Sequence, residues 1–232
     1  LDSFAFLQRK RAEGKARHIG FSYHDSAALL DQILTEHPEV EFVQLQLNYL
    51  DWETESIQSR LCYETAVRHG KKVVVMEPVK GGRLARLPQA AEALLKSCHP
   101  DWSPASWALR FAAGLSEVLV VLSGMSDLEQ LEDNTASLDG AAPLTPAERA
   151  VLDQALEQIK AATKIPCTAC RYCVEGCPQH IAIPEYFEQY NIEKQVGRAD
   201  RGVSLSCYNS LILSHGKASE CVACGQCESV CP

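Results

Sequence analysis

The sequence predicts an α/β domain, built on a parallel sheet covered by helices, followed by a small and mainly helical cysteine-rich domain. Two observations carry this prediction. Strand-like and helix-like stretches alternate four times within about the first 140 residues, which is typical of βα units rather than of a β-sandwich. Eight of the 11 cysteines then fall in two short runs of identical spacing, from Cys167 to Cys177 and from Cys221 to Cys231.

The elements of the first domain follow from local patterns. Apolar residues at helical spacing indicate each helix, and short apolar or β-branched runs indicate each strand. We expect Asp25 to cap the second helix and Pro104 to lie in the first turn of its helix. Ser126, with Glu129 three residues later, forms a capping-box pattern before the last helix. The predicted strands are 17–22, 41–50, 71–79 and 117–124, and the predicted helices are 1–14, 25–38, 53–70, 88–98, 103–114 and 126–138.

A break in this alternation separates the two domains. Residues 140–146 are rich in Gly, Ala and Pro, and an amphipathic pattern at 145–163 predicts one helix that leads into the cysteine-rich domain. Between the two cysteine runs, helical patterns at 183–195 and 206–220 predict that this domain is mainly helical.

Composition excludes several classes of partner. The chain is 46% hydrophobic and 22% charged, so it is globular in composition, and its net charge of −8 argues against nucleic acid and anionic membranes. We find no apolar run of the roughly 18 residues that a membrane helix needs. The cysteines outside the runs, Cys62, Cys98 and Cys207, are scattered, which favours a reducing, cytoplasmic location over disulfides. The chain opens without Met, and we expect it to be a fragment truncated at both ends.

Each cysteine run has the spacing CxxCxxCxxxCP, as CTACRYCVEGCP and CVACGQCESVCP. A cubane iron-sulfur cluster needs three close thiolates and a fourth that arrives from elsewhere, and two such runs meet that need. The alternatives are zinc or disulfides. Zinc sites usually take two ligand pairs separated by a longer loop, whereas here a third Cys follows each CxxC at once. The spacing therefore favours iron-sulfur clusters.

The paired runs resemble those of bacterial two-cluster ferredoxins, in which the fourth Cys of each run binds the other cluster. The resemblance implies two 4Fe-4S clusters with reciprocal ligands. Cluster one would take Cys167, Cys170, Cys173 and Cys231. Cluster two would take Cys221, Cys224, Cys227 and Cys177.

The strand ends of the first domain resemble those of the aldo-keto reductases, a (β/α)8 barrel family that uses NADPH. The similar segments, in order, are GKARHIGFSYH, FVQLQLNYLDW, VVVMEPVKGGRL and VLSGMSDLEQLEDN. The resemblance implies the C-terminal half of a TIM-type barrel, units five to eight, in residues 1–140. A linker and amphipathic helix would then occupy 141–164, and a ferredoxin-like domain 165–232.

The same resemblance implies a nicotinamide nucleotide site. Ser22 and Gln44 correspond to contacts of the nicotinamide carboxamide, and Met76 stands where many members stack an aromatic ring. Pro78, Val79, Gly81 and Gly82 correspond to the pyrophosphate loop, where glycine lets the backbone approach phosphate. Gly124, Met125, Gln130 and Asn134 correspond to the adenosine-phosphate loop. Because Gly124 and Gln130 stand where NADPH-preferring members often carry Lys or Arg, the cofactor is expected to be NADP(H) or NAD(H).

We assign no catalytic residue, because the family's catalytic tetrad comes from barrel units two to four. Tyr23 and His24 follow a strand and could line a pocket, although residues of this kind are often only half buried. Glu77 and Lys80 invite an acid/base interpretation, but we expect a solvated salt pair in a loop.

These patterns predict an oxidoreductase in which a nicotinamide-binding barrel is joined to a two-cluster electron-transfer domain. A small carbonyl or alcohol would be the substrate. Because a nicotinamide transfers two electrons as hydride and a cubane cluster passes one at a time, a flavin or a redox partner protein would have to mediate between them. The alternatives are a ferredoxin-like electron carrier whose barrel only docks a ligand or partner, and clusters that serve as a structural staple.

Overall fold

The structure, a computed structural model, describes residues 2–54, 57–167, 170–196 and 201–231. It divides into two compact units, Leu1–Leu156 and Glu157–Pro232. The division falls within a long helix, Pro146–Ala162, which begins and ends close to the amphipathic stretch that the sequence predicts.

The first unit alternates helices and strands as predicted. Its helices are α1 (Ser3–Ala12), α2 (Ala27–Glu36), α3 (Ser59–Arg68), α4 (Gln89–Cys98), α5 (Pro104–Ala113) and α6 (Leu128–Leu138), with α7 (Pro146–Ala162) at the boundary. Its strands are β1 (Gly20–Tyr23), β2 (Phe42–Gln46), β3 (Lys72–Met76) and β4 (Val118–Val121).

The four strands form one parallel sheet in chain order, β1-β2-β3-β4. This is the order that consecutive βα units of a (β/α)8 barrel produce, and it confirms the predicted parallel sheet. The register places Ser22 beside Gln44 and Gln46 beside Met76. Because the carboxyl ends of parallel strands meet at one edge, the residues that follow them come together there.

One face of the sheet packs against the helices. Alternate strand residues are buried there and form a single cluster with apolar residues of α2, α3 and α5. The strand residues in this cluster are Tyr23, Val43, Leu45, Val73 and Val75. The intervening residues, among them Gln44 and Met76, therefore lie on the opposite face.

Two helix starts differ from the prediction by one residue. Ser26 rather than Asp25 caps α2, and Asp127 rather than Ser126 caps α6; each cap accepts a hydrogen bond from a backbone N–H of the first turn. In both places two adjacent residues have side chains able to cap, and the residue that caps has extended backbone dihedrals. The prediction for Pro104, in the first turn of α5, is confirmed.

Strand β2 and helix α3 are both shorter than predicted. The chain leaves the sheet after Gln46 and forms turns through 48–54, where the backbone N–H of Thr54 donates to the carbonyl of Asp51 at 3.0 Å. Helix α3 begins at Ser59, whose hydroxyl donates to the carbonyl of Gln46 at 2.8 Å. Residues 55 and 56 of the predicted helix lie outside the described residues.

The second unit is mainly helical, as predicted. Its helices are α8 (Tyr172–Glu175), α9 (Ile183–Val196), α10 (Arg201–Leu211) and α11 (Gln226–Ser229). Helices α9 and α10 pack together with the rings of Tyr186 and Tyr208 at 5.2 Å between centroids. Among the helices of the described residues, none is both long and apolar enough to cross a bilayer.

Candidate functional site

Three predicted nicotinamide contacts form one hydrogen-bonded group on the sheet face away from the helices. The amide nitrogen Nε2 of Gln44 donates to Ser22 Oγ at 2.9 Å and lies 3.4 Å from Met76 Sδ. Ser22 Oγ is 3.9 Å from the same sulfur. The register places Ser22 beside Gln44, and Met76 lies on the same face of β3, two residues beyond Val74, which is the partner of Gln44.

Tyr23 does not line this face, so the expectation that it could line a pocket with His24 is wrong for Tyr23. Its side chain is buried in the core against the helices, and its hydroxyl donates to the carbonyl of Ser26 at 2.6 Å. Burial, with a smaller contribution from the charge of Asp25, raises the pKa of Tyr23 to about 12. Strand alternation explains the difference, since adjacent residues point to opposite faces. His24 is exposed.

The predicted pyrophosphate loop is a succession of tight turns after β3. Gly81 and Gly82 have φ of 61° and 90°, in the left-handed region that glycine tolerates best. A Cβ added at either glycine would meet no heavy atom of the described residues within 4 Å, so the space beside this backbone is open. Pro78 is buried and Val79 half-buried, which fixes the start of the loop against the protein.

Lys80 in this loop is mostly buried and paired, which corrects the expectation of a solvated pair with Glu77. Its Nζ lies 2.5 and 2.6 Å from the two carboxylate oxygens of Asp51, and the two side chains are 11% and 5% exposed. Glu77 is exposed. The sequence reasoning missed Asp51, although an Asp soon after β2 and a Lys soon after β3 fall at the same sheet edge.

The predicted adenosine-phosphate residues lie in the loop before α6 and on α6 itself. The backbone N–H of Gln130 donates to Asp127 Oδ1 at 2.9 Å, and its side-chain amide donates to Asp127 Oδ2 at 2.8 Å. Asn134 Nδ2 donates to Ser123 Oγ at 3.0 Å. Met125 is 42% exposed, and the space where a Cβ of Gly124 would lie is open in the described structure.

In the second unit, four cysteines from both runs surround one cavity of about 220 Å³. Cys177 comes from the first run, and Cys221, Cys224 and Cys227 come from the second. This is the ligand set that the ferredoxin resemblance implies for cluster two. Large apolar and aromatic side chains form part of the remaining wall: Ile181, Ile183, Tyr186 and Phe187.

The donor set and the space fit a cluster. Thiolates are the ligands that hold 4Fe-4S clusters, and an apolar wall limits the access of water to them. The four cysteines line a space and do not converge on one point. In agreement with this, the described residues contain no group of three or more His, Cys, Asp or Glu placed to hold a single metal ion.

Some of the cysteines predicted for cluster one lie near one another. Burial, followed by the neighbouring thiols of Cys167, Cys170 and Cys227, raises the pKa of Cys173. Cys231 is exposed and follows α11. The assignment of these cysteines to one cluster stays a prediction.

From their second cysteine onwards, the two runs share backbone features. Arg171 and Gly225 stand at the same position of each run, have φ of 67° and 72°, and precede the short helices α8 and α11. A Cβ on Gly176 would lie 2.7 Å from Gln226 Nε2, so this glycine allows α8 and α11 to pack closely. The repeated sequence therefore folds as a repeated structure.

The three cysteines outside the runs differ in environment. Cys62 is buried in the core of the first unit, where burial raises its pKa to about 11, in keeping with the predicted role as a small core residue. Cys98 is half-buried at the end of α4, and Cys207 is exposed on α10.

Comparison with known proteins identifies the class of each segment. A model of the aldo/keto reductase family matches residues 1–157, and a model of a 4Fe-4S dicluster domain matches residues 166–232. Because the first match covers more than half of the chain, the chain belongs to the aldo/keto reductase family. It joins an aldo-keto reductase domain to a 4Fe-4S dicluster domain, as predicted.

Solved structures agree on the fold. Aldo-keto reductase AKR11C1 from Bacillus halodurans, in its holo form, matches with a TM-score of 0.53 and 23% identity over 66% of this chain and 55% of its own. An aldo-keto reductase from Klebsiella pneumoniae in complex with NADPH matches with a TM-score of 0.50 and 23% identity over 64% and 51%. The chain therefore spans about half the length of these relatives. No curated protein matches it.

Proposed function

We propose that the chain belongs to an iron-sulfur oxidoreductase in which a nicotinamide nucleotide binds the barrel and eight cysteines hold two 4Fe-4S clusters. The observation that carries the proposal is the cavity that Cys177 shares with Cys221, Cys224 and Cys227. A fourth cysteine from the other run is what reciprocal ligation requires. Domain boundaries at 140 and 164, and a cytoplasmic location, belong to the same proposal.

When bound, the clusters would supply one-electron transfer. Cys167, Cys170, Cys173 and Cys231 would hold cluster one, and the cysteines of the cavity cluster two. The residues around the cavity would exclude water from cluster two, which tunes its potential.

In the barrel segment, Ser22 and Gln44 would orient the nicotinamide carboxamide through hydrogen bonds, beside the sulfur of Met76. Their mutual bond of 2.9 Å supports this role, because each side chain holds the other in position. The open backbone at Gly81 and Gly82 suits the pyrophosphate. Gly124, Met125, Gln130 and Asn134 would flank the adenosine phosphate.

The overall reaction would interconvert a small carbonyl compound and its alcohol, with hydride carried by the nicotinamide. Communication with the clusters needs a flavin or a redox partner protein, since hydride carries two electrons and each cluster accepts one.

Iron counting tests the cluster assignment. We expect about eight irons per chain after anaerobic reconstitution, the total for two cubanes, and a loss of about half in Cys177→Ala. The Cys207→Ala variant, which removes an exposed cysteine outside the runs, should retain all of them. Full iron content in Cys177→Ala would contradict reciprocal ligation.

The electron-carrier alternative rests on residues 122–134, which contain acidic side chains and no Lys or Arg to pair with a nucleotide phosphate. Titration with NADH and NADPH separates the two functions. Binding of either nucleotide supports the oxidoreductase, and absence of binding by both favours a carrier.

A further inference from the structure

A buried charged network lies at the carboxyl ends of β2 and β3. Asp51 and Lys80 are its centre, joined by two contacts of 2.5 and 2.6 Å with side chains 5% and 11% exposed. A pair of this kind is uncommon, since a buried charge is tolerated only where its partner and further hydrogen bonds offset the loss of water.

Neutral side chains complete the network. Gln46 Nε2 and Asn48 Nδ2 each donate to Asp51 Oδ2 at 2.9 Å. The backbone N–H of Asp51 donates to Asn48 Oδ1 at 2.9 Å, and Asn48 Nδ2 also lies 3.2 Å from the carbonyl of Glu77. Asp51 is thus fixed from the β2 side, and the contacts to Lys80 and Glu77 reach across to the loop after β3.

The loop from Glu77 to Gly82 depends on these contacts for its shape. Four of its six residues have positive φ, and two of them, Glu77 and Lys80, are not glycine. Such residues hold a left-handed backbone only where their surroundings fix it. The network contacts both strained residues, through the carbonyl of Glu77 and the ammonium group of Lys80.

We propose that Asp51 is a positioning residue which, through Lys80, holds the 77–82 loop in the conformation that receives the cofactor's pyrophosphate. This rests on the proposed nucleotide site. Lys80 does not itself bind phosphate, because its charge is directed to Asp51. The backbone beside Gly81 and Gly82 makes the phosphate contact.

Two rival roles predict different results. If Lys80 bound phosphate directly, Asp51→Asn would free its charge and strengthen cofactor binding. If the pair served stability alone, removing both charges together would leave the affinity of the folded chain unchanged.

The experiment measures the dissociation constants of NADH and NADPH for the full chain and for Asp51→Asn, Lys80→Met and the double variant. We expect each to weaken binding of the preferred nucleotide at least tenfold, including the double variant, which avoids an unpaired buried charge and therefore folds most readily. Lys72→Met is the matched control, because it breaks an exposed ion pair with Glu117 at the other end of β3. It should change affinity less than twofold.

Limited trypsin digestion tests the loop independently of nucleotide binding. Cleavage after Arg83, which is half-buried, should be at least tenfold faster in Asp51→Asn and in the double variant than in the wild type or in Lys72→Met. Unchanged cleavage, tighter binding in Asp51→Asn, or wild-type affinity in the double variant would each overturn the proposal. If the wild type bound neither nucleotide, the proposed nucleotide function would fail, and cleavage would still decide whether Asp51 holds the loop.

Discussion

In each unit a buried polar side chain holds a stretch of backbone at or next to a proposed cofactor site, but the two units do so differently. The first uses a charged pair, Asp51 and Lys80, whose members come from two loops. The second uses the neutral amide of Asn191, which is 5% exposed and bonds only to backbone. Its oxygen accepts from the N–H groups of Lys164 and Ile165 at 3.0 and 2.9 Å, and its nitrogen donates to the carbonyl of Ile165 at 2.7 Å.

The difference lies in what each arrangement requires of the sequence. A charged pair needs two particular side chains at once, and loss of either leaves the other buried and unpaired. An amide that bonds to backbone requires no particular partner side chain, because every residue other than proline supplies both an N–H and a carbonyl group. Asn191 secures Lys164 and Ile165, in the segment directly before the predicted cluster ligand Cys167.

The largest expected loss of stability follows from removing one member of the charged pair. Lys80→Met leaves the carboxylate of Asp51 buried without its cation, and we expect the free energy of unfolding of the first unit to fall by about 3 kcal/mol. Thermal denaturation followed by circular dichroism measures this. The double variant with Asp51→Asn should lose clearly less; equal losses in the single and double variants would show that the two charges are not coupled.

Asn191→Ala should have the next largest effect, in the second unit. The N–H groups of Lys164 and Ile165 lose their acceptor, while the carbonyl of Ile165 keeps its hydrogen bond from the N–H of Cys167. We expect a loss of about 2 kcal/mol, since water can reach part of the exposed backbone. Heating the cluster-loaded chain while recording cluster absorbance and circular dichroism should show earlier loss of the clusters with the first unit still folded. If cluster absorbance and circular dichroism were lost at the same temperature, the substitution would not affect the second unit alone.

The parts of both sites that could be predicted came from resemblance to known families. The resemblance to two-cluster ferredoxins grouped Cys177 with three cysteines of the second run, and the resemblance to aldo-keto reductases selected Ser22 and Gln44, which the parallel register places side by side. Their roles as ligands stay predictions. The parallel sheet and the mainly helical second unit followed from periodicity, whereas the assignment of the sheet to half of a barrel followed from the family resemblance.

Contacts between distant loops could not be predicted in the same way. Asp51 and Lys80 are 29 residues apart, and their pairing depends on the paths of two loops that no periodic pattern specifies. The orientation of Tyr23 was open for a related reason: the last residue of a short strand can face either side until the register is known. Helix caps were predictable only to one residue, because Asp25 and Ser26 both have capping side chains.

A smaller loss of stability is expected when a glycine with positive φ is replaced by alanine in either unit. Gly225 in the second unit and Gly70 in the first have φ of 72° and 67°, and an added Cβ would meet no described atom within 4 Å at either. Each Gly→Ala substitution should cost about 1 kcal/mol of its own unit's stability through the left-handed backbone alone. Only Gly225→Ala should also disturb the clusters, measured by their absorbance, because it lies between Cys224 and Cys227. An equal effect of Gly70→Ala on that absorbance would contradict the independence of the two units.

The smallest effect is a pH dependence confined to the first unit. Asp31 on α2 accepts hydrogen bonds from Arg68 and His69 at the end of α3, at 2.9 and 2.8 Å, and these two contacts, Arg68 foremost, lower the pKa of Asp31. A carboxyl group with a lowered pKa stabilises the folded state above its ordinary pKa of about 4, and this contribution is lost as the pH falls towards the lowered value. The side chains are exposed, so solvent screens the interaction and the change in melting temperature should be small.

We expect the melting temperature of the wild type to fall more steeply between pH 5 and pH 3 than that of Asp31→Asn, with the two curves converging at the acid end. Parallel curves would mean that the contact between α2 and α3 contributes nothing to stability through charge, and that packing alone joins these helices.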